Sequence, residues 1–160
     1  KLPVTFYEDA SLLPDFCDYS MKNRTYRYAE NNILYPFGYG LTYSQVECSD
    51  LTYSDKKVSL SVTNTGNTDT EDVVQIYIKG YSENAVPNYS LCGFKRVSLK
   101  KGETQKIELM LDESAFEVVD KNGIRKVEGN KFMLFAGTSQ PDELSEKLTG
   151  TKCLSLEINI

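Results

Sequence analysis

The sequence predicts an all-β fold: a two-sheet β-sandwich of about seven or eight strands that follows an extended, aromatic N-terminal arm. Two observations predict this organisation. From residue 46 onward, short runs of alternating apolar and polar residues are separated by turn residues at regular intervals. Residues 1–45 show neither a helical nor a sustained strand period, because prolines and glycines divide them into short extended pieces.

Each predicted strand follows from its local pattern. Val58, Leu60 and Val62 point to one face of residues 58–63 and hydroxyl side chains point to the other, so one side is expected to face water. After a polar turn, residues 73–78 are apolar on both faces, which predicts a central strand covered on both sides. The remaining predicted strands are residues 46–53, 91–99, 107–111, 116–119, 131–136 and 153–158. Only residues 115–119 and 142–148 could tolerate a helical turn, and the set is typical of an immunoglobulin or fibronectin type III sandwich.

The arm concentrates the aromatic residues. Its first 43 residues hold seven of the eleven tyrosines and three of the seven phenylalanines. Each large ring left in water forfeits about 1.5–3 kcal/mol of burial, so the arm is expected to pack on the sandwich or on another copy of the chain. Tyr35, Phe37 and Tyr39 are the expected main anchors, because Pro36 restricts one φ angle and the adjacent glycines allow tight bends.

Composition excludes several classes of function. The 160 residues contain no histidine, which removes histidine-based catalysis and histidine metal sites. A net charge of −5 without a basic run makes nucleic acid an unexpected partner, and no apolar run is long enough to span a membrane. No cofactor or metal site is expected. The polar stretch at residues 64–72 is interpreted as a turn in preference to a calcium site, because it lacks EF-hand spacing.

The four cysteines are too far apart for a C-x-x-C motif. Four buried thiols are the preferred interpretation, although three disulfide pairings remain open. No acidic pair suggests a raised pKa. The close pairs are Glu71/Asp72, Asp112/Glu113 and Glu117/Asp120, and all are interpreted as solvated surface.

Tyrosines are the candidate sugar contacts, because a ring can stack on a pyranose face while neighbouring polar groups bind hydroxyls. The sandwich candidates are Tyr77, Tyr81 and Tyr89. The favoured interpretation is that strand tyrosines complete the core and loop tyrosines contact the arm or a neighbouring domain. The absence of tryptophan disfavours an aromatic sugar-binding platform.

Three motifs in one order resemble the C-terminal region of family three glycoside hydrolases, the β-glucosidase and β-xylosidase family. They are KLPVTFY (1–7), RTYRY (24–28) and LYPFGYGLTY (34–43). Four later segments are similar to the fibronectin type III-like domain of that family, and the resemblance covers essentially the whole chain. These segments are VTNTG (62–66), VVQIY (73–77), LCGFKRV (91–97) and KGET (101–104).

The resemblance implies that residues 1–45 form the end of an α/β sandwich domain and a linker arm, and that residues 46–160 form the fibronectin type III-like sandwich. It implies a non-catalytic accessory domain, since the family's nucleophile and acid/base lie in other domains. Expected partners are the catalytic domains of the same polypeptide, its β-linked oligosaccharide substrate and another copy of the chain. The expected interdomain packing residues are Arg24, Tyr26, Arg27, Tyr28, Tyr35, Phe37 and Tyr39.

The resemblance further implies that the domain stabilises the catalytic domains, with a loop that reaches the rim of the substrate pocket. Two alternatives stay open: an autonomous carbohydrate-binding module, and a structural or adhesion module. The residues assign no compartment, so secreted, periplasmic and cytoplasmic locations are all compatible.

Overall fold

Two antiparallel sheets face each other in the computed structural model, which describes residues 1–160. The short helices are α1 (Thr25–Tyr28) and α2 (Glu143–Thr149), with 3₁₀ turns at Ala10–Leu12 and Glu113–Phe116. The strands are β1 (Phe6–Tyr7), β2 (Ile33–Tyr35), β3 (Val46–Ser54), β4 (Lys57–Asn64), β5 (Thr70–Gly80), β6 (Ser90–Leu99), β7 (Thr104–Met110), β8 (Glu117–Val119), β9 (Arg125–Val127), β10 (Lys131–Gly137) and β11 (Leu154–Asn159).

The larger sheet has the order β11-β10-β5-β6 and the smaller has the order β3-β4-β7. The predicted all-β sandwich is confirmed, and β5 is the central strand that its two apolar faces predict. Two small ribbons, β1-β2 and β8-β9, lie outside these sheets. The sequence does not predict strands β1, β2 and β9, because two or three residues are too few to establish a period.

The core lies between the two sheets and follows the predicted alternation. Val58, Leu60 and Val62 on β4 are buried in one apolar cluster with Ile76 on β5 and Leu134 on β10. Fully burying each such side chain stabilises the fold by about 1.5–3 kcal/mol.

The β5 strand is buried on both faces, although the second sheet covers only one of them. Val74 and Ile76 belong to the core cluster. Gln75 and Tyr77 point to the other face, and only 3% and 0% of their surfaces are exposed. The arm provides this second cover.

Helix α2 forms where residues 142–148 were expected to tolerate a turn. The Asp142 carboxylate caps it by accepting hydrogen bonds from the Ser145 backbone N–H at 2.9 Å and the Ser145 hydroxyl at 2.7 Å. Gly150 ends it in the left-handed conformation, with φ +70°. No helix in the structure has the length and apolar character needed to cross a bilayer.

All four cysteines are free thiols. Cys48, Cys92 and Cys153 are partly buried, but Cys17 is exposed, so the expectation of four buried thiols is wrong for Cys17. Its position explains the difference: Cys17 follows the first 3₁₀ turn in a stretch of the arm where no neighbouring residue is buried.

Candidate functional site

The arm is attached to the outer face of β5 by a buried hydrogen-bond network. The side-chain amide nitrogen of Gln75 donates to the carbonyl of Gly38 at 2.9 Å and to the carbonyl of Thr138 at 3.1 Å. The Tyr77 hydroxyl donates to the Gln75 side-chain oxygen at 2.7 Å. The Gln75 amide is therefore paired at both ends, which offsets its desolvation.

Aromatic rings surround this network. The rings of Tyr26 and Phe37 from the arm stack at 4.2 Å and 12°. The Tyr26 ring meets Tyr77 edge-on at 6.2 Å, and Tyr77 meets Tyr89 edge-on at 5.6 Å. Tyr89 in turn contacts Phe135 at 6.1 Å. The rings form one continuous contact between arm and sheet, with one stacked pair and three edge-on pairs.

Backbone-directed hydrogen bonds fix helix α1 against the sandwich. The Tyr26 hydroxyl accepts from the backbone N–H of Leu91 at 2.9 Å. The Asn88 side-chain nitrogen donates to the carbonyls of Tyr26 and Ala29, both at 2.9 Å, and the Asn88 backbone N–H donates to the carbonyl of Arg27 at 3.2 Å. The arm therefore packs on the sandwich of its own chain, which is one of the two predicted arrangements.

The first residues of the chain are held as well. The Lys1 ammonium group lies 2.8 Å from the Asp72 carboxylate, and their side chains are only 12% and 4% exposed. The Leu2 backbone donates to the carbonyl of Tyr39 at 2.7 Å and accepts from the N–H of Gly38 at 2.8 Å. These contacts tie the start of the arm to the turn that covers Gln75.

The arm also carries large apolar side chains that are exposed to solvent. We call the exposed side chains of Val4, Phe6, Leu34 and Tyr35 the outer arm surface. Phe6 pairs with Tyr35 in the β1-β2 ribbon, so these two side chains share one face, whereas Leu34, the preceding residue of β2, points to the other face. Several large apolar groups exposed on one short ribbon are typical of a protein contact surface.

The seven predicted packing residues lie in two different environments in the structure. Tyr26 and Phe37 face the sandwich, whereas Tyr35 stacks on Tyr39 at 5.5 Å with its ring partly in solvent. The other three lie around helix α1. Arg24 donates a hydrogen bond to the Asp15 carbonyl at 2.6 Å. The Arg27 guanidinium lies 6.0 Å from the Tyr26 ring centre, and Tyr28 lines a cavity at the β8-β9 end of the sandwich.

The three candidate sugar-contact tyrosines differ in accessibility. Tyr77 is fully buried, so its ring has no free face for a sugar, because the arm covers it. Tyr81 is 56% exposed after β5. Tyr89 is partly buried and lines an open groove between the arm and helix α2.

Two residues that organise this region are not predicted as site residues from the sequence: Gln75 and Asn88. Gln75 leaves a signal, since it is the one amide in an otherwise apolar strand segment and needs buried partners there. Asn88 lies in a loop, where no periodic pattern distinguishes a structural amide from an exposed one.

The carboxyl groups with a shifted pKa are all shifted in the same direction. A general acid in glycoside cleavage needs a raised pKa. Every carboxyl pKa that is shifted here is lowered, chiefly by hydrogen bonds from neighbouring side chains or backbone N–H groups; the residues are Asp9, Asp18, Asp50, Glu108, Asp112, Asp120 and Glu128. No three Cys, Asp or Glu residues converge to hold a metal ion.

Comparison with known proteins finds similarity to one part of several glycosidases. Residues 72–140 match the family model for the fibronectin type III-like domain. The chain is 37% identical over 158 residues to a xylan 1,4-beta-xylosidase of Xylanibacter ruminicola, covering 94% of this chain and 18% of that protein. It is 32% identical over 158 residues to a periplasmic beta-glucosidase of Salmonella typhimurium, covering 86% of this chain and 21% of that protein.

Solved structures agree with these relatives. A GH3 beta-glucosidase from Bifidobacterium adolescentis superposes with a TM-score of 0.68 at 29% identity, covering 84% of this chain and 20% of that one. A beta-glucosidase from Kluyveromyces marxianus superposes with a TM-score of 0.66 at 29% identity, covering 85% of this chain and 17% of that one. The chain spans about a fifth of the length of these proteins.

Proposed function

This chain is a fibronectin type III-like domain of the family 3 glycoside hydrolases, and we propose that it supports the catalytic domains of a β-xylosidase or β-glucosidase. The domain identity makes it a non-catalytic accessory domain. The proposal adds where the support acts: the outer arm surface docks on the catalytic part of the same polypeptide.

The observation that carries the proposal is the two-sided arm. One side of the arm is attached to β5 by the hydrogen bond between Gln75 and Gly38 and by the ring contact of Tyr26, so the arm forms part of the sandwich surface. The β1-β2 ribbon of the arm also exposes Phe6 and Leu34, each 46% accessible. The relatives are about five times longer than this chain, so a polypeptide of that kind supplies a partner surface next to the arm.

The proposed parent enzyme hydrolyses β-linked xylo- or gluco-oligosaccharides with an Asp nucleophile and a Glu acid/base located outside these 160 residues. Within this proposal, residues 1–45 complete the preceding α/β domain and link it to the sandwich, and residues 46–160 are the accessory domain. The connection after β5, where Tyr81 is exposed, is the proposed contribution to the rim of the substrate pocket.

The test compares the intact polypeptide with this chain alone. Leu34→Ser removes an exposed apolar group, so it should leave the melting temperature of the isolated chain unchanged. In the intact enzyme the same change should lower the melting temperature by several degrees with KM unchanged, because it weakens the interface. Ile124→Ser, at another exposed apolar position on the β8-β9 hairpin, is the matched control and should have no effect in either protein.

An equal response of Leu34→Ser in both proteins would contradict the docking proposal. The isolated chain could instead self-associate through this surface, in a way that Leu34→Ser abolishes without any effect on the intact enzyme. That result would assign the surface to contact between copies and would also contradict the docking proposal.

A separate assay concerns chemistry: the isolated chain should release no nitrophenol from aryl β-xylosides or β-glucosides above buffer.

A further inference from the structure

One loop of the arm lies outside every sheet of the structure. We call residues 8–22, which connect β1 to helix α1, the acidic loop. The neck of this loop is closed, because the Tyr7 hydroxyl just before it donates to the carbonyl of Asn23 just after it, at 2.8 Å. The Glu8 backbone N–H also donates to the carbonyl of Asn32 at 2.9 Å. A surface loop of this length with its ends joined is an Ω-loop.

The acidic loop exposes large apolar side chains that the rest of the chain does not cover. Phe16 is 88% exposed and Tyr19 is 85% exposed. Three further apolar side chains of the loop are also exposed: Leu12, Leu13 and Met21. The hydrogen bonds of residues 9–22 all stay within residues 9–24. A contiguous group of exposed apolar side chains of this kind marks an interaction surface.

The backbone through which the loop rejoins helix α1 is strained. Met21, Asn23 and Thr25 have φ angles of +63°, +59° and +55°, in the left-handed region. Such a conformation is unfavourable above all for Thr25, because its β-branched side chain crowds the backbone. Strained residues of this kind cluster at ligand clamps and contact sites. The chain therefore projects the loop away from the arm at a cost in free energy, which a partner surface would offset.

The charges of the acidic loop define the chemistry of that partner. The loop contains four carboxylates and one lysine, none of which forms an ion pair within this chain: Glu8, Asp9, Asp15, Asp18 and Lys22. An apolar groove with lysines or arginines at its rim complements this surface. The same loop of a second copy does not, because its carboxylates would repel these.

We propose that the acidic loop docks into an apolar groove with a basic rim on the catalytic part of the same polypeptide, with Phe16 and Tyr19 as the anchors. Aromatic side chains are the common anchors of protein interfaces. The inference rests on the proposed function, but the contact is separate from the outer arm surface. The relatives are about five times longer than this chain, so a polypeptide of that kind has the surface needed to form such a groove.

Cys17 provides a reporter for docking, because it lies within the acidic loop and is an exposed free thiol. The test measures alkylation of Cys17 by iodoacetamide, by mass spectrometry, in the isolated chain and in the intact polypeptide. Docking should slow the reaction about ten-fold in the intact polypeptide, because only the undocked fraction reacts. Hydrogen exchange of residues 8–22 should slow as well. Equal rates of both reactions in the two proteins would overturn the proposal.

Two variants examine the anchors and the charge, each compared with its own isolated chain. Phe16→Ser should remove the protection of Cys17 in the intact polypeptide, and it should leave the melting temperature of the isolated chain unchanged, because the ring is exposed. Phe94→Ser, on the edge strand β6 with 67% of its ring exposed, is the matched control with unchanged protection. Glu8→Gln should raise the Cys17 rate about two-fold, as expected for one surface ion pair, and the exposed Glu83→Gln should not. Full protection in Phe16→Ser would contradict the proposal.

The outcomes separate this inference from the proposed function. If Leu34→Ser destabilises the intact polypeptide while Cys17 reacts equally fast in both proteins, the proposed function stands and this inference fails. Protection of Cys17 without any response to Leu34→Ser would support the loop contact and reject docking through the outer arm surface. Protection of Cys17 in the isolated chain that increases with protein concentration would assign the loop to a second copy and would overturn the proposal.

Discussion

The side-chain nitrogen of Gln75 donates a hydrogen bond to the backbone carbonyl of Gly38 across 37 positions of sequence, at 2.9 Å. This bond joins the central strand of the sandwich to the arm that covers it. Gly38 has φ +78°, and a Cβ atom there would lie 2.2 Å from the Gln75 side-chain oxygen and 2.7 Å from the Tyr77 hydroxyl. The turn is therefore restricted to glycine by both backbone conformation and space.

Gly38→Ala should destabilise the chain by about 2–4 kcal/mol, because it combines positive-φ strain with displacement of the Gln75 side chain. Gly123→Ala is the matched control: its φ is +79°, but no atom lies within 4 Å of an added Cβ, so it should cost only about 1 kcal/mol. Urea denaturation of both variants measures the difference. Equal losses would show that the close approach of Gly38 to β5 contributes nothing.

Tyr77→Phe should cost about 1–3 kcal/mol, because it removes the donor to the Gln75 side-chain oxygen and leaves that buried acceptor unpaired. Tyr43→Phe, at a side chain that is almost fully exposed, should be neutral. Hydrogen exchange adds a local readout: the Gly38 amide should exchange faster in Tyr77→Phe as the turn loosens. A Tyr77→Phe variant as stable as the parent chain would contradict the network described here.

Thiol labelling should distinguish one cysteine from three. Cys17 is exposed, whereas burial raises the pKa of Cys48 and Cys92 to about 12 and that of Cys153 to about 11. With Ellman's reagent at pH 8, one equivalent should react quickly and the other three only after denaturation, since the thiolate is the reactive form. Cys17→Ser should abolish the fast phase. Two or more fast equivalents in the native protein would show that the sandwich thiols are accessible.

Stability should fall at alkaline pH. In the unfolded chain the thiols ionise near their ordinary pKa, but in the folded chain Cys48, Cys92 and Cys153 keep their protons up to about pH 11 or 12. The folded state therefore binds more protons above about pH 9, so raising the pH favours unfolding; below that pH both states are protonated and these thiols contribute no slope. Each thiol adds up to about 1.4 kcal/mol per pH unit.

Urea denaturation between pH 7.5 and 10.5 measures this dependence. Cys92→Ala should show a shallower decline than the parent chain, because one of the three protons is no longer involved. Cys17→Ser should leave the slope as it is in the parent chain. A decline that is equally steep in Cys92→Ala would remove the thiols as its cause.

The sequence by itself determined the sandwich and its core. Alternation on β4 placed Val58, Leu60 and Val62 in the interior, and the two-sided apolar pattern of β5 placed that strand at the centre of its sheet. These features are local, because a strand's period of two assigns each side chain to a face without knowledge of any partner. The aromatic content of the arm likewise required that it pack on something.

The tertiary structure alone decided which surface the arm covers and which groups remain without partners. In the sequence Gln75 is only a polar residue within an apolar strand. In the structure its side chain donates hydrogen bonds to the carbonyls of Gly38 and Thr138, which come from distant parts of the chain. Tyr77 and Tyr89 look alike in sequence, yet one is sealed under the arm and the other lines a groove. Such differences depend on where segments far apart in sequence meet, and no local period encodes those contacts.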